Sequence, residues 1–414
     1  MATRAEIETH QLTLLRELLA RVPAESFYGR KFKGLPAPKS LAEFCAAYPF
    51  TTKTELAEDQ RAHPPFGTAL LEPMERYARF HQTSGTTSSP MRWLDTPESW
   101  SALVDCWVRV FTTAGVTKSD RVFFAFSFGP FLGFWMAFDA ATRLGCLAIP
   151  AGGMSSAARL RMLMDARATA LCCTPTYAAR LAEVAGQEGL DLKGSSIRRI
   201  LVAGEAGGSI PSVRARLEAL WPGARVYDHH GMTEVGPVTF ECPATPCRLH
   251  VMEEAFLAEV LDPANGQPAP EGELVLSTLI RTGSPLFRYR TGDFVRAIRG
   301  RCACGLEELA LEGGILGRVD DMAVVRGVNI FPSAVEEVIR SFPEIAEYRV
   351  TLRSPAPLTE MEIEIEPGAG AAPDCANAVQ RALQTAFALR IPVKTVAPDS
   401  LPRPEMKAKR WVKA

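Results

Sequence analysis

Five short apolar runs, separated by helical patterns, dominate residues 99–230. The runs are VFFAFSF (122–128), CLAIPA (146–151), ALCCTP (170–175), RRILVAG (198–204) and ARVYDHH (224–230). Short apolar runs that alternate with helices are typical of βα units, so this region predicts a mostly parallel sheet. Residues 1–80 predict helices and loops and begin with an amphipathic helix.

The pattern changes at about residue 255. The segments AFLAEVLDP, GELVLSTLI and FVRAIRG alternate apolar and polar residues and are separated by turn sequences such as DPANG (262–266). This alternation predicts antiparallel β structure.

A separate small domain is predicted after Gly317. Residues 333–342 and 375–389 have helical patterns, whereas residues 347–353 and 361–367 have strand patterns. The polar, glycine-flanked junction before them suits a hinge. We therefore predict an α/β protein with two domains: a large N-terminal domain (1–319) of mostly parallel sheets plus a β-rich subdomain, and a small mobile α+β C-terminal domain (320–414).

Composition narrows the class of protein. Hydrophobic residues make up 47% and charged residues 22% of the chain, and the formal net charge is −1. This balance is typical of a soluble globular protein and gives no support for a nucleic-acid or membrane partner. The N-terminus has no signal-type apolar core and the most apolar stretch, 122–150, is interrupted by polar residues, so we expect a cytoplasmic protein with reduced cysteines.

A loop dense in serine, threonine and glycine spans residues 83–90, TSGTTSSP. Small hydroxylated residues let backbone N–H groups approach phosphate oxygens, and the hydroxyls add donors. The segment lacks the G-x-x-x-x-G-K-[ST] pattern, so it is not a Walker loop. A solvated surface loop explains the same composition.

A second motif, YDHHGMTEVG (227–236), follows an apolar run. It should lie at the carboxyl edge of the sheet, where α/β proteins bind ligands. Glu234 offers a carboxylate for Mg²⁺ bound to phosphate oxygens. His229 and His230, each taken alone, are better explained as hydrogen-bonded structural residues.

Three later segments also carry candidate chemistry. In YRTGD (289–293), Asp293 on a tight turn can accept hydrogen bonds from two ribose hydroxyls, although a plain β-turn explains it too. GRVDD (317–321) is followed by RGVNIFP (326–332). The tail LPRPEMKAKR (401–410) holds lysines that can offset transition-state charge, although a solvated basic tail explains it in isolation.

Together and in this order, these motifs resemble the adenylate-forming superfamily of acyl-CoA synthetases, adenylation domains and luciferases. Within it, HQTSGTT, DHHGMTEVGP, FRYRTGDF, GRVDDMAVVRGVNIFPSAVEEV and LPRPEMKAKR are similar to the phenylacetate–CoA ligase family. The resemblance implies an ATP-dependent, AMP-forming acid–thiol ligase that uses ATP, Mg²⁺ and CoA. It would join a small carboxylic acid to AMP and pass the acyl group to a thiol.

The resemblance also implies how the nucleotide is held. The positions that match the phosphate loop are Thr83, Ser84, Gly85, Thr86 and Thr87. The positions that match the adenine-side segments are Gly204, Glu205, Asp228 and His229. His230 stands where many members carry a tyrosine stacked on adenine.

Further positions match residues around the phosphates and the ribose. Thr233 corresponds to an AMP phosphate contact and Glu234 to the Mg²⁺ ligand. Asp293 corresponds to the ribose-hydroxyl acceptor, and Arg318 to a second ribose or phosphate contact.

The tail and the hinge have implied roles as well. Lys407 matches the lysine that serves adenylation, with Lys409 as the alternative. The resemblance implies that the small domain then rotates about Asp320, which withdraws Lys407 and brings the loop at Gly327 to the site. A thiol then attacks the acyl-adenylate and AMP leaves.

The acid pocket is implied to include the segment after the first βα unit. Its expected residues are Phe126, Phe131, Gly133, Phe134, Ala203, His230 and Gly231. The aromatic density suits a flat aryl acid such as phenylacetate or a benzoate-type acid, for example anthranilate. Ordinary core packing explains part of the same pattern, and other small acids stay open.

Five residues predict a metal site. Cys242, Cys247 and His250 lie in ECPATPCRLH, and Cys302 and Cys304 lie in RCACG. Three of the thiols and the imidazole can form a tetrahedral structural Zn²⁺ site. We favour Cys242, His250, Cys302 and Cys304, with Cys247 as an alternative ligand; reduced buried cysteines are the competing explanation.

Two other functions stay open. The acyl acceptor can be a carrier-protein thiol or an amine instead of CoA. An inactive nucleotide-binding relative is the second alternative, because Ser88 and Met406 stand where most members have glycine. A homodimer is an expectation from the family alone.

Overall fold

The computed structural model describes residues 2–83, 90–130, 132–326, 328–353, 359–368, 370–403 and 410–413. The predicted site residues that lie outside the described residues are Ser84, Gly85, Thr86, Thr87, Phe131, Gly327 and Lys407, together with the alternative Lys409.

Helices and loops form most of the first 80 residues, as predicted. The helices are α1 (Arg4–Ala20), α2 (Phe27–Lys31), α3 (Leu41–Ala47) and α4 (Lys53–Ala62). Capping boxes begin α1 at Thr3 and α4 at Thr52, because each threonine side chain accepts from a backbone N–H that the helix leaves unpaired. Strands β1 (Arg79–Gln82) and β2 (Arg92–Asp95) then pair antiparallel on either side of the Ser/Thr loop, residues 83–90.

The five apolar runs form a parallel sheet, which confirms the prediction. Its strands, in the order β4-β3-β5-β6-β7, are β3 (Arg121–Phe124), β4 (Leu147–Pro150), β5 (Ala170–Cys173), β6 (Arg199–Val202) and β7 (Arg225–Asp228). Helix α5 (Pro97–Thr113) precedes these strands, and the helices between them are α6 (Trp135–Arg143), α7 (Ser156–Asp165), α8 (Pro175–Gln187) and α9 (Pro211–Leu220).

Both faces of this sheet are buried, which explains why its central strands are mostly apolar rather than alternating. Phe123 and Cys173 belong to the core under α7, α8 and α9, whereas Phe124 and Cys172 belong to the core under α5 and α6. Successive side chains of one strand therefore supply two cores.

The carboxyl ends of the strands meet at one edge. The backbone N–H of Ala203 donates to Cys173 O (3.3 Å) and that of His229 donates to Val202 O (3.1 Å), one residue beyond β6 and β7. Ala125 donates to Cys172 O (3.0 Å) in the same way beyond β3. The strand order reverses between β3 and β5, which makes this edge the expected place for a ligand.

A six-stranded antiparallel sheet follows, as the alternation after residue 255 predicts. Between β7 and this sheet, β8 (Gly231–Met232) and β9 (Gly236–Pro237) form a hairpin. The sheet strands, in the order β10-β11-β15-β14-β13-β12, are β10 (Thr239–Glu241), β11 (Arg248–Val251), β12 (Phe256–Leu261), β13 (Glu271–Thr278), β14 (Tyr289–Ile298) and β15 (Ala310–Arg318).

The C-terminal region forms a separate domain with its own hydrophobic core, as predicted. Its elements are β16 (Ala323–Val325), β17 (Val328–Ile330), α10 (Pro332–Arg340), β18 (Ile345–Arg353), β19 (Glu360–Pro367), α11 (Cys375–Phe387), β20 (Val393–Thr395) and β21 (Trp411–Lys413). The boundary at residue 320 and the hinge role of Asp320 stay predictions.

Helix α9 of the large domain packs against α10 of the small one. Ile210 begins α9 without a capping side chain. Instead, the carboxylate of Glu337 in α10 accepts from the backbone N–H (3.0 Å) and the hydroxyl (2.9 Å) of Ser212. Arg216 donates from the same helix to Ile345 O at 2.8 Å. The small domain thus caps a helix of the large domain.

Among the described residues, no helix is long and apolar enough to cross a membrane.

Candidate active site

Thr233 and Glu234 lie at the tip of the β8–β9 hairpin, in a turn that we call the Glu234 turn (residues 233–235). A side chain at Gly231 would place its Cβ 2.7 Å from Gly236 O, and Gly236 itself has a φ of +100°. The hairpin therefore closes tightly because both positions are glycine. Its tip presents the two residues that the sequence assigns to phosphate and Mg²⁺.

A lysine accompanies the predicted Mg²⁺ ligand. Lys53 Nζ, at the start of α4, lies 2.9 Å from Glu234 Oε1, and the Glu234 side chain is largely buried. The capping box between Thr52 and Glu55 fixes this end of α4 and hence the origin of the lysine side chain. No sequence motif pointed to Lys53, because the pair joins positions 181 residues apart.

Arg281 forms hydrogen bonds with the backbone of the Glu234 turn. Its Nη1 donates to Thr233 O (2.9 Å) and Glu234 O (2.7 Å). Its Nε and Nη2 each donate to the Asp95 carboxylate at 2.7 Å. Arg281 and Asp95 are fully buried, and the sequence reasoning missed both.

Asp293 and Arg318 face each other across β14 and β15. Arg318 Nη1 lies 3.3 Å from Asp293 Oδ1 and 3.2 Å from Thr291 O. Gly292, with a φ of +76°, leaves room for the guanidinium, because a Cβ there would lie 2.5 Å from Arg318 Nη2. The predicted ribose acceptor and the predicted second contact therefore meet in the structure.

Two buried polar atoms beside them lack partners. His230 Nε2 and Asp293 Oδ2 are 3.3 Å apart, and neither makes a hydrogen bond with the described residues. Burial raises the pKa of Asp293 to about 7 against the opposing charge of Arg318. Burial, together with Arg318, lowers the pKa of His230 to about 4. Because buried polar atoms are nearly always paired, these two point to a hydroxyl-bearing ligand.

The Asp228 carboxylate and His229 Nδ1 form hydrogen bonds within the protein. The Asp228 carboxylate accepts from Ser209 Oγ (2.5 Å) and from the backbone N–H of His229 (2.9 Å). His229 Nδ1 lies 2.6 Å from Thr239 O, and burial lowers the pKa of this imidazole to about 3. A neutral ring beside a carbonyl carries its proton on Nδ1, so Nε2 is free to accept. Their adenine-side roles stay predictions.

Gly204 and Glu205 lie at the same edge, after β6. Gly204 has a φ of +93°, which favours glycine at this turn. Glu205 Oε1 accepts from the backbone N–H of Thr176 (2.8 Å) in the first turn of α8. A carboxylate at a helix N-terminus is a favourable arrangement, and it fixes the loop that the sequence assigns to the adenine side.

A chain of rings lines the carboxyl edge near these residues. Phe126 and Phe134 have ring centroids 5.2 Å apart, Phe134 and Trp107 are 5.8 Å apart, and Trp107 and His229 are 4.2 Å apart. Ala203 packs against the same core. The structure therefore connects the predicted pocket segment to the 229–231 segment, through Trp107 of α5, which the sequence reasoning missed.

The predicted metal ligands form a cluster away from this edge. One ligand atom from each of Cys242, His250, Cys302 and Cys304 lies within 4.8 Å of every other. Cys242 Sγ and Cys302 Sγ are 3.7 Å apart, and Cys304 Sγ is 3.4 Å from His250 Nε2. Cys247, the alternative ligand, is not a member of this cluster among the described residues.

Comparisons with known proteins agree with this geometry. Residues 43–278 match the family of AMP-binding enzymes, and residues 327–414 match the AMP-binding enzyme C-terminal domain. The phenylacetate-coenzyme A ligase of Thermus thermophilus is 34% identical over 325 residues, which are 77% of this chain and 71% of the relative. The phenylacetate-coenzyme A ligase of Pseudomonas putida is 30% identical over 373 residues, 87% of this chain and 82% of the relative.

Solved structures of a 2-hydroxyisobutyryl-CoA ligase extend the likeness to the whole chain. Its postadenylation state with 2-HIB-AMP has a TM-score of 0.93 at 30% identity and covers 99% of this chain and 90% of that one. Its thioesterification state with CoA has a TM-score of 0.74. The two domains here are therefore arranged as in the postadenylation state.

The fold and the site define an acyl-CoA ligase that works through an acyl-adenylate. The chain belongs to the AMP-binding enzyme family, in the branch of the phenylacetate–CoA ligases.

The raised pKa of the buried Asp293 predicts how the stability of the protein depends on pH. Its pKa is raised from the usual 3.8 to about 7, so the folded chain holds the proton that the unfolded chain releases. Stability is therefore full below about pH 4 and falls as the pH rises to about 7. We expect Asp293→Asn, which cannot ionise, to gain stability relative to wild type over that interval and to keep the gain at higher pH.

The measurement is denaturant unfolding of both proteins between about pH 4 and pH 8. Asp374→Asn, at an exposed position, is the control and should show no such trend. A stability difference between Asp293→Asn and wild type that is independent of pH would contradict the burial argument.

Proposed function

We propose that this ligase activates a small aromatic carboxylic acid as its acyl-adenylate and transfers the acyl group to CoA. The observation that carries the proposal is the pair of buried atoms without partners among the described residues, His230 Nε2 and Asp293 Oδ2, taken together with the Glu234 turn and the row of aromatic rings that ends at His229.

The nucleotide accounts for the polar half of this site. The unpartnered Asp293 Oδ2 supplies the acceptor that a ribose hydroxyl needs, and Arg318 supplies a cation on the same side. His230 is neutral and half-buried, so it can stack on adenine at the cost of less contact area than a tyrosine. Gly204, Glu205, Asp228 and His229 shape the edge around the base, and Thr83 to Thr87 would hold the phosphates.

Glu234 fits the proposed Mg²⁺. A carboxylate oxygen is the ligand type that Mg²⁺ prefers, and Glu234 lies at a hairpin tip with its backbone fixed by Arg281. Held by Glu234, the ion would supply positive charge that offsets the charge of the phosphates. Lys53 shares the Glu234 carboxylate and places a second positive charge at the same point.

The residues of this chain then have separable tasks. Asp293 and His230 orient the nucleotide, Thr233 contacts the α-phosphate, and Lys407 offsets the charge that builds as the acid attacks and pyrophosphate leaves. Rotation about Asp320 would exchange Lys407 for the loop at Gly327 before a thiol attacks the acyl-adenylate. No protein nucleophile is needed, because the mixed anhydride already carries a good leaving group.

An aromatic acid fits the apolar half of the site. Phe126, Phe134 and Trp107 form a continuous row of aromatic rings that ends at His229, and aromatic rings give a flat ligand a large contact area. The relatives from Thermus thermophilus and Pseudomonas putida are phenylacetate ligases, but the 2-hydroxyisobutyryl-CoA ligase acts on an aliphatic acid. The acid has to be measured for that reason.

An acid panel tests the proposal. We expect pyrophosphate release with phenylacetate or a benzoate-type acid to exceed release with 2-hydroxyisobutyrate by at least about tenfold in kcat/KM. Release should continue to thioester when CoA is added. A preference for 2-hydroxyisobutyrate would overturn the aromatic substrate, and AMP release without thioester would favour a carrier-protein thiol or an amine as acceptor.

Absence of release with every acid would favour an inactive nucleotide-binding relative. A homodimer and a cytoplasmic location stay predictions from the sequence.

The tail lysine has its own test. Lys407→Ala should lower ATP–pyrophosphate exchange by about 10²-fold or more, because a cation leaves the transition state. The same variant should convert a supplied acyl-adenylate and CoA to thioester at the wild-type rate. Lys409→Ala is the matched control; if it gives the loss and Lys407→Ala does not, the assignment along the tail is wrong by two residues.

We also propose that Cys242, His250, Cys302 and Cys304 hold a structural Zn²⁺. Tetrahedral ligands with Zn–S distances of about 2.3 Å lie about 3.8 Å apart, close to the 3.7 Å between Cys242 and Cys302. His250 Nδ1 lies 3.3 Å from Glu308 O, an outer partner that would orient Nε2 toward the ion. Four protein ligands leave no open position, so the ion would fasten β10 and β11 to the 302–304 loop.

Metal analysis tests this site. Purified wild-type protein should contain about one Zn²⁺ per chain, and Cys302→Ser should lose it and unfold at lower denaturant concentration. Cys247→Ser, outside the cluster, should keep both the metal and the stability. Substoichiometric zinc in the wild type, or equal zinc in Cys302→Ser, would refute the proposal.

A further inference from the structure

Arg281 connects two parts of the site that lie far apart in sequence. One side of its guanidinium meets Asp95, the last residue of β2, and β2 pairs with β1 to flank the Ser/Thr loop. The other side meets the two carbonyls of the Glu234 turn. The same side chain therefore touches the support of the phosphate-binding loop and the support of the proposed Mg²⁺ ligand.

The hydrogen bonds of Arg281 define its geometry closely. Four of its five N–H groups have partners: two on the Asp95 carboxylate and two on the carbonyls of Thr233 and Glu234. The guanidinium is planar, and its donors point in fixed directions. Because one edge donates to the Asp95 carboxylate and another to two consecutive carbonyls, the orientation of the Glu234 turn relative to Asp95 is fixed. Carbonyls at a hairpin tip usually face water, but here they accept hydrogen bonds from a buried guanidinium.

The surroundings of Arg281 are rigid. Ser284 Oγ donates to Leu94 O (2.5 Å) and the backbone N–H of Gly283 donates to Ser99 Oγ (3.1 Å). Tyr77 Oη donates to Gly283 O at 2.6 Å. The segment that carries Arg281 is thus bonded to β2, to the start of α5 and to the residues before β1, so the guanidinium has a fixed origin.

Neither member of the ion pair reaches solvent. Arg281 and Asp95 both have a relative exposure of 0%. A buried pair of this kind is weak evidence for stability alone, because the cost of desolvating the two charges offsets their attraction. A role in fixing geometry accounts better for keeping a bidentate pair against the backbone of a functional turn.

We propose that Arg281 and Asp95 are positioning residues that set the Glu234 turn against β2, the strand that follows the Ser/Thr loop. Their action fixes where the Glu234 carboxylate stands for Mg²⁺ and polyphosphate. The proposal rests on the proposed role of Glu234 and deepens it, because it assigns the placement of that carboxylate to two residues outside every sequence motif.

Arg281→Lys is the sharpest variant. Lysine keeps the charge but has only three donors on a single nitrogen, so it cannot reproduce the four hydrogen bonds that Arg281 makes. We expect kcat/KM for ATP in pyrophosphate exchange to fall by about 10²-fold and the half-saturating Mg²⁺ concentration to rise by about tenfold. Thioester formation from a supplied acyl-adenylate and CoA should stay within about twofold of wild type, since that half-reaction does not use Mg²⁺ or the Ser/Thr loop.

Two further variants separate positioning from general destabilisation. Arg109→Lys removes another bidentate pair, in which Nη1 and Nη2 contact Glu308 at 2.8 and 2.6 Å and which joins α5 to the segment before β15. It should lower the melting temperature without changing the Mg²⁺ requirement. Asp95→Asn keeps the side-chain shape and one acceptor, so it serves if Arg281→Lys fails to fold, with the same expected pattern.

Two results would overturn the proposal. One is a parallel loss of both half-reactions in Arg281→Lys or Asp95→Asn, and the other is an equal rise in the Mg²⁺ requirement in Arg109→Lys. If wild type releases no pyrophosphate with any acid, the proposed function fails separately. Calorimetry then still decides the role of Arg281: Mg²⁺ should tighten ATP binding to wild type and to Arg109→Lys but not to Arg281→Lys.

Discussion

The parallel alignment of β3, β5, β6 and β7 is the constraint on which the site depends. Backbone hydrogen bonds put the ends of these strands in register, so the residues that follow them emerge at one edge. Phe126, Ala203 and His229 follow the carboxyl ends of β3, β6 and β7 at the same edge for this reason, although they are far apart in the sequence. The antiparallel sheet then needs to supply few further groups, and it supplies Asp293 and Arg318 from adjacent strands.

Burial of charge is the second theme of the molecule. Burial lowers the pKa of His230 to about 4 and raises the pKa of Asp293 to about 7. Arg281 and Asp95 form a buried ion pair. Removing water before the ligand arrives means that its hydroxyls and phosphates meet fixed dipoles in a medium of low dielectric constant. The same burial makes the empty site costly, which is consistent with a site organised for a nucleotide rather than for folding stability.

Sequence reasoning recovered the elements whose signal is local. The βα runs, the antiparallel strands and the C-terminal helices have clear periodicities, and the structure places them where the pattern puts them. Cysteine and histidine are recognisable as metal-ligand types, so the clustering of Cys242, His250, Cys302 and Cys304 could be predicted, whereas the exclusion of Cys247 required the structure. The role of the cluster as a Zn²⁺ site stays a proposal. Asp293 and Arg318 were found through motifs on neighbouring strands.

What the sequence could not indicate depends on distant pairs. Lys53, Arg281 and Trp107 act through contacts with residues that are distant in the sequence, and each is of a type that is common on surfaces or in cores. The hydrogen-bond partners of an arginine in a loop after a strand cannot be identified from the sequence around it. The three residues therefore join the site through tertiary geometry alone.

The cap that the Glu337 carboxylate forms on α9 also affects the relative free energy of different domain arrangements. A helix whose first turn is completed from another domain is frayed whenever that domain is elsewhere, and a missing cap typically costs about 1 kcal/mol. That amount corresponds to about a fivefold bias between two arrangements of the chain. The large domain thus contains, in the first turn of one helix, a preference for the domain arrangement in which Glu337 contacts Ser212.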